Sequence, residues 1–213
     1  MKPWAAVIPL IILLSSCLGV NMDITLNQNG SGTLALEYQI SASLDSLGKL
    51  DGNERWNTIP LGKADFERTL DRLPGMKLLS HTSREHGKNL VINAKMEFTD
   101  LSVLIAFLDA GGLRSSFTGD GSSGRITLTL SEGAEIRNPH LDRLIADVSD
   151  SYSVMISMTF PKEGSLNIAD IKGQPLNAVP GSDIKPNGKK VSLLFPLYGI
   201  LSASRGIIAE LRW

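Results

Sequence analysis

Apolar and polar residues alternate with period two along most of this chain, the pattern of strands with one buried and one wet face. Met22, Ile24 and Leu26 alternate with Asn21, Asp23, Thr25 and Asn27. Beyond the stretch QNGSG, Leu34, Leu36, Tyr38 and Ile40 alternate with Thr33, Glu37, Gln39 and Ser41. Asn29-Gly30 in the gap suits positive backbone φ, so 21–27 and 33–41 are expected to form a hairpin. Residues 76–82 read as a strand, and 88–98 more clearly so, with Leu90, Ile92, Ala94, Met96 and Phe98 on one face. Further strands are expected at Leu113, Ser115 and Phe117; at Ile126, Leu128 and Leu130; and from Tyr152 to Phe160, ended by Pro161. Val191, Leu193 and Phe195 form another, and Ile207 to Trp213 the last. Residues 161–188, with Pro175, Pro180 and Pro186, read as loop, as does the polar stretch 43–63 that holds Trp56.

Three segments switch to helical spacing. Phe66, Leu70 and Leu73 share one face before Pro74-Gly75 stops the run. Thr99 or Asp100 is placed to cap a helix bearing Leu101, Leu104, Phe107 and Leu108, ended by Gly111-Gly112. Asn138-Pro139 is an N-cap and first-turn pair for a helix with Leu141, Leu144, Ile145 and Val148. The expected fold class is α+β: a largely antiparallel, curled sheet of about nine strands with three short helices on one face. Within it, 88–160 reads strand, helix, strand, strand, helix, strand, the split βαβ order. One helix is about 10 Å wide and strands lie about 4.8 Å apart, so three helices cover roughly six strands. The rest of the apolar face must be covered by the sheet itself, by loops, or by an apolar ligand or lipid.

The amino terminus follows a different pattern. Trp4 through Leu14 is an apolar run broken by Pro9, suited to a signal h-region and short of the roughly 20 residues of a membrane span. Leu14-Ser15-Ser16-Cys17 follows, and Cys17 is the only cysteine of the 213-residue chain. The segment resembles the bacterial lipoprotein signal, whose lipobox reads Leu, small, small, Cys. That resemblance implies cleavage between Ser16 and Cys17 and lipidation of Cys17. Residues 1–16 are then a lipoprotein signal peptide, 17–20 a lipidated tether and 21–213 a single α+β domain. Each buried methylene contributes about 0.8 kcal/mol, so two or three acyl chains hold a protein without a span. Leu18 is not the aspartate that marks inner-membrane retention in enteric-type bacteria, which points outward. The apolar stretch LLFPLYGIL at 193–201 is short and interrupted by Pro196, so no second span is expected.

Composition narrows the function classes. The 21 basic and 22 acidic side chains are interspersed, which offers no footprint for a phosphate backbone, so nucleic acid is not an expected partner. A lone cysteine allows neither an internal disulfide nor a cysteine-based metal cage. His81 and His86 are five apart and flank an expected turn; His140 falls in a first helical turn; none has metal-ligand spacing. The glycine-rich stretches GDGSSG and NGSGT sit between alternating runs and read as hairpin turns, not phosphate cradles. LDGNER starts like a calcium loop but lacks its later acidic positions. No nucleophile elbow is present, so no catalytic residue, metal or cofactor is assigned and the chain is read as a non-enzyme. Trp56 either plugs the core or marks a contact, and is the one ligand-binding candidate.

With the lipobox, the hairpin VNMDITLNQNGSGTLALEYQIS and the strand SVMISMTFPKEG, the chain resembles bacterial LppM-like lipoprotein domains, and in particular a group of spirochaete-type lipoproteins. The resemblance implies an α+β domain in the cell envelope, on the outer side of a bacterial membrane, linked to lipid-like ligands, and supplies no catalytic residue. LppM-like chains often continue into a membrane helix, whereas this sequence stops at Trp213, which leaves lipid as the expected tether. Only Leu18, Gly19 and Val20 separate Cys17 from the predicted first strand, a reach of about 14 Å at most. The expected function is a membrane-anchored, non-catalytic binding module whose partners are the bilayer, through acylated Cys17, and a lipid-like ligand or an envelope protein. A structural or surface-interaction lipoprotein is the alternative, and an envelope hydrolase a third.

Overall fold

The computed structural model describes residues 17–41, 60–87, 89–109, 115–120, 122–131, 152–170, 182–201 and 206–213, with 133, 143, 149 and 203 singly. In chain order the strands are β1 (Cys17–Leu26), β2 (Gly32–Ser41), β3 (Met76–His86), β4 (Asn89–Phe98), β5 (Ser116–Gly119), β6 (Gly124–Ser131), β7 (Ser153–Thr159), β8 (Ser165–Asp170), β9 (Asp183–Asn187), β10 (Lys190–Pro196) and β11 (Ile207–Arg212). The helices are α1 (Lys63–Leu70), α2 (Leu101–Leu108) and α3 (Leu197–Leu201). The class is α+β, but the strands form two sheets in place of the single curled one expected. A seven-stranded sheet runs β3-β4-β2-β1-β7-β10-β9 and a four-stranded sheet runs β5-β6-β11-β8.

The first hairpin forms as the alternation predicts. Its connection is longer than a two-residue turn: the Asn27 N–H donates to the Ser31 carbonyl and the Gly30 N–H to the Asn27 carbonyl. Gly30 alone takes positive φ there, at 82°. β1 also starts earlier than the alternation suggests, at Cys17 opposite Ile40, because β2 extends to Ser41 and offers it a partner. Residues 17–20, expected as the lipidated tether, lie within this strand.

Three further expectations are corrected. The split βαβ order fails because β4 and β7 lie in the large sheet while β5 and β6 pair in the small one. The supposed loop 161–188 contains β8 and β9; Pro186 is tolerated because β9 is an edge strand, where a missing N–H breaks no ladder. His81 and His86 both lie on β3, and the turn follows them at Gly87. The helix expected at 138–148 falls outside the described residues, apart from Arg143. α3, by contrast, arises from the apolar stretch after Pro196. One pairing, β1 with β7, is parallel; all the others are antiparallel.

Local chemistry sets the helices. α1 starts at Gly62, whose N–H donates to the Asp65 carboxylate at 3.0 Å, and it buries Phe66 and Leu70 against the core. α2 is capped by Asp100, which accepts from the Ser102 and Val103 amides at 2.9 and 3.1 Å, and it buries Leu101, Leu104 and Ile105. The two sheets share one core. Ile24, Leu34, Ile92, Met158 and Phe195 from the large sheet join Ile126, Leu128, Ile168, Ala209 and Leu211 from the small one in a single buried cluster. The small sheet thus covers apolar surface that three helices could not. Phe66, Phe98, Phe160 and Phe195 are fully buried there, and each such ring contributes about 1.5–3 kcal/mol.

Candidate functional site

With its even-numbered β1 and β2 residues turned to the core, the large sheet presents a second, outward face built from the polar partners of the alternation. Strand register aligns these outward residues in rows. One row runs Ser80, Lys95, Ala35, Asp23, Ser157, Ser192, Lys185 across all seven strands. The next runs Thr82, Asn93, Glu37, Asn21, Met155, Leu194, Asp183.

Ala35 is the small residue of its row, and a depression of about 280 Å³ opens around it. Asn21, Asp23, Glu37, Ser80, Thr82, Asn93 and Lys95 line the trough with their side chains. Its floor is rigid sheet, so its polar groups sit at fixed strand spacings. Asp23 is engaged by the Lys190 ammonium at 2.7 Å. Glu37 and Lys95 flank Ala35 as a diagonal pair on adjacent strands, where side chains stand roughly 7–8 Å apart. The Asn21 side-chain oxygen is buried and without a hydrogen-bond donor among the described residues. The trough thus offers a carboxylate, an ammonium, amides and hydroxyls at fixed strand spacings.

The same inventory bears on catalysis. Among the described residues, no trough hydroxyl is hydrogen-bonded to Asp23 or Glu37, so no serine or threonine is coupled to a base there. Nor do three metal-capable side chains gather anywhere among them. The hairpin GDGSSG spends its own amides: the Ser122 and Ser123 N–H groups donate to the Asp120 carboxylate at 2.7 and 3.2 Å. The Ser122 hydroxyl, these amides and the Lys162 charge hold the Asp120 carboxyl below the ordinary carboxylate range.

The sequence-derived candidates fare unevenly. Cys17 is placed at the first position of β1. Ser16, Trp56 and His140 lie outside the described residues. His86 is exposed, as expected of a hairpin residue. His81 is not: its Nε2 lies 3.1 Å from the Leu61 carbonyl and its ring packs 5.3 Å from that of Phe66, so it helps seat α1 on β3.

No family model matches the chain, and neither does any curated protein. Among solved structures, one similar chain is the folded domain of Mycobacterium tuberculosis LppM, determined by NMR. The two share 15% identity with a TM-score of 0.43, over 92% of this chain and 90% of that one. At that identity no residue role carries over.

The trough was missed in sequence because polar alternation reads simply as a solvated face. Its one signal is Ala35, a methyl among the longer outward side chains Thr33, Glu37 and Gln39. No described helix is long and apolar enough to cross a membrane.

Proposed function

We propose that this chain is a membrane-anchored bacterial lipoprotein of the cell envelope whose folded domain is a non-catalytic binding module. The observation that carries the reading is the lipobox-like Leu14-Ser15-Ser16-Cys17, whose cysteine is paired in β1 opposite Ile40. Acyl chains on Cys17 then join the bilayer to the sheet with no spacer.

The binding surface in this reading is the outward trough around Ala35. Its carboxylate, ammonium and amides favour the polar part of an envelope molecule, such as a headgroup or a peptide. Among the described residues, both sheets contribute side chains to one buried apolar cluster. That same packed core favours the second reading, a structural lipoprotein that meets its partners through its surface and holds no ligand.

The test is a bacterial host fed an alkyne-tagged fatty acid. The native chain is expected to take up the label, to begin at a diacylglyceryl-modified Cys17 by mass spectrometry, and to partition with membranes. Cys17→Ser is expected to lose all three properties. A Cys17→Ser chain that is still processed after Ser16 and pelleted with membranes would overturn the anchor.

A further inference from the structure

The large sheet carries an apolar corner close to its Cys17 end. On the outward face, Met155 of β7 pairs with Leu194 of β10, and two residues along, Ser153 pairs with Pro196. Leu194 is 36% exposed and is one of three large apolar residues left open to solvent among the described residues. The chain then turns into α3, where Leu197 donates its N–H to the Tyr152 carbonyl at 2.7 Å and is followed by Tyr198. Met155, Pro196, Leu197 and Tyr198 are all half-buried.

Register gives the distance from this corner to the anchor. Val20 sits level with Val154 and Phe195, and Asn21 level with Met155 and Leu194, so Pro196 lies one residue nearer the Cys17 end than Phe195. β10 is two strands from β1, about 10 Å, and strands rise about 3.3 Å per residue. Leu194 thus lies roughly 16 Å from Cys17, and Pro196 roughly 12 Å. Among the described residues of β9, Asp183 is held by Lys185 at 2.7 Å, so that acid is paired at this corner.

We infer that this corner, formed by Met155, Leu194, Pro196, Leu197 and Tyr198, rests on the lipid bilayer and fixes how the domain lies at the membrane. The inference rests on the anchor reading above. With no spacer after Cys17, the sheet end cannot move away from the lipid surface, and the side that carries exposed apolar groups is the side that gains by touching it. Tyr198, which follows Leu197 in α3, suits the interfacial layer, which takes an apolar body and a polar tip. Because the contact is apolar and not basic, it needs no anionic lipid and resists salt.

The experiment uses the full acylated chain on phosphatidylcholine vesicles that carry a headgroup nitroxide. Acylation blocks Cys17, so a single introduced cysteine takes an environment-sensitive fluorophore alone. Leu194→Cys and Tyr198→Cys report the corner. Lys189→Cys, in the turn at the opposite sheet end about 30 Å from Cys17 along the strands, is the reference. Quenching at 194 and 198 is expected to be at least about twofold stronger than at 189, and unchanged between about 0.1 and 1 M salt. Equal quenching at all three positions on a chain that floats with the vesicles would overturn the docking while leaving the anchor intact. A native chain that fails to float and whose Cys17 accepts the label would overturn the anchor and the docking together. Should one corner variant misfold, the other reads the same contact.

Discussion

Lys190 on β10 meets Asp23 on β1 across the intervening strand β7, with 2.7 Å between Nζ and Oδ2. By register the lysine stem crosses β7 between Thr159 and Ser157. Ser157 is 4% exposed although it belongs to the outward face, and its hydroxyl lies 2.9 Å from that of Ser192. The ion pair itself is half exposed, so a double-mutant cycle on Lys190 and Asp23 is expected to give a coupling of about 0.2–1 kcal/mol that falls with salt. The stem is the larger part. Lys190→Met keeps that cover and Lys190→Ala does not, so denaturant titration should find the alanine variant the less stable of the two.

Gly32 opens β2 between Leu26 and Phe98, its partners on either side. A methyl on its Cα would collide with the Thr25 carbonyl and with the Phe98 ring. The carbonyl belongs to the ladder and the ring to the packed core, so neither has room to yield. Gly32→Ala is expected to cost about 1–3 kcal/mol in urea unfolding. Shrinking the ring in Gly32→Ala/Phe98→Leu should not restore stability, because the clash with the Thr25 carbonyl remains.

The strands and the two longer helices were legible because their residues declare a period. Leu90 to Phe98 is a strand at period two, and Phe66 with Leu70 a helix face at period four. Sheet membership was not legible. Ile126 and Leu128 alternate as Ile24 and Leu26 do, and only the three-dimensional path shows that they face each other from different sheets. β9 was hidden by Pro186, a residue an edge strand accepts. The trough depends on register, which sets Lys95 beside Ala35 and Ala35 beside Asp23 across three strands. Cys17 is singled out by a local signal, a unique residue at a fixed offset from an apolar run, and its lipidation belongs to the proposal.

The ring of Trp213 stacks on that of Phe160, with 5.1 Å between centroids and 14° between planes. Its indole N–H donates to the Asp120 carbonyl at 3.1 Å, and its backbone exchanges both hydrogen bonds with Gly124. The last residue of the chain therefore joins the end of β7 in one sheet to the β5–β6 hairpin of the other. Trp213→Ala is expected to cost about 2–3 kcal/mol by denaturant titration, less than the full value for a buried ring because Trp213 is half exposed. Trp213→Phe keeps the stack but loses the donor, and should recover more than half of that loss.

Asp100 links α2 to pH. The Ser102 hydroxyl is the largest influence on its carboxyl, followed by an opposing burial effect and by the Val103 amide, the Thr99 hydroxyl and the Ser102 amide; the net result lies below the ordinary carboxylate range. A carboxyl depressed in the folded chain adds stability above its unfolded pKa of about 3.9. That contribution is lost as pH falls through the lower folded value. Asp100→Ala is expected to cost about 1 kcal/mol at pH 7. Below about pH 4 the native chain should lose stability faster than the variant, so their urea midpoints converge on acidification. Midpoints that stay equally far apart down to pH 2 would mean that the cap acts through its shape and not its charge.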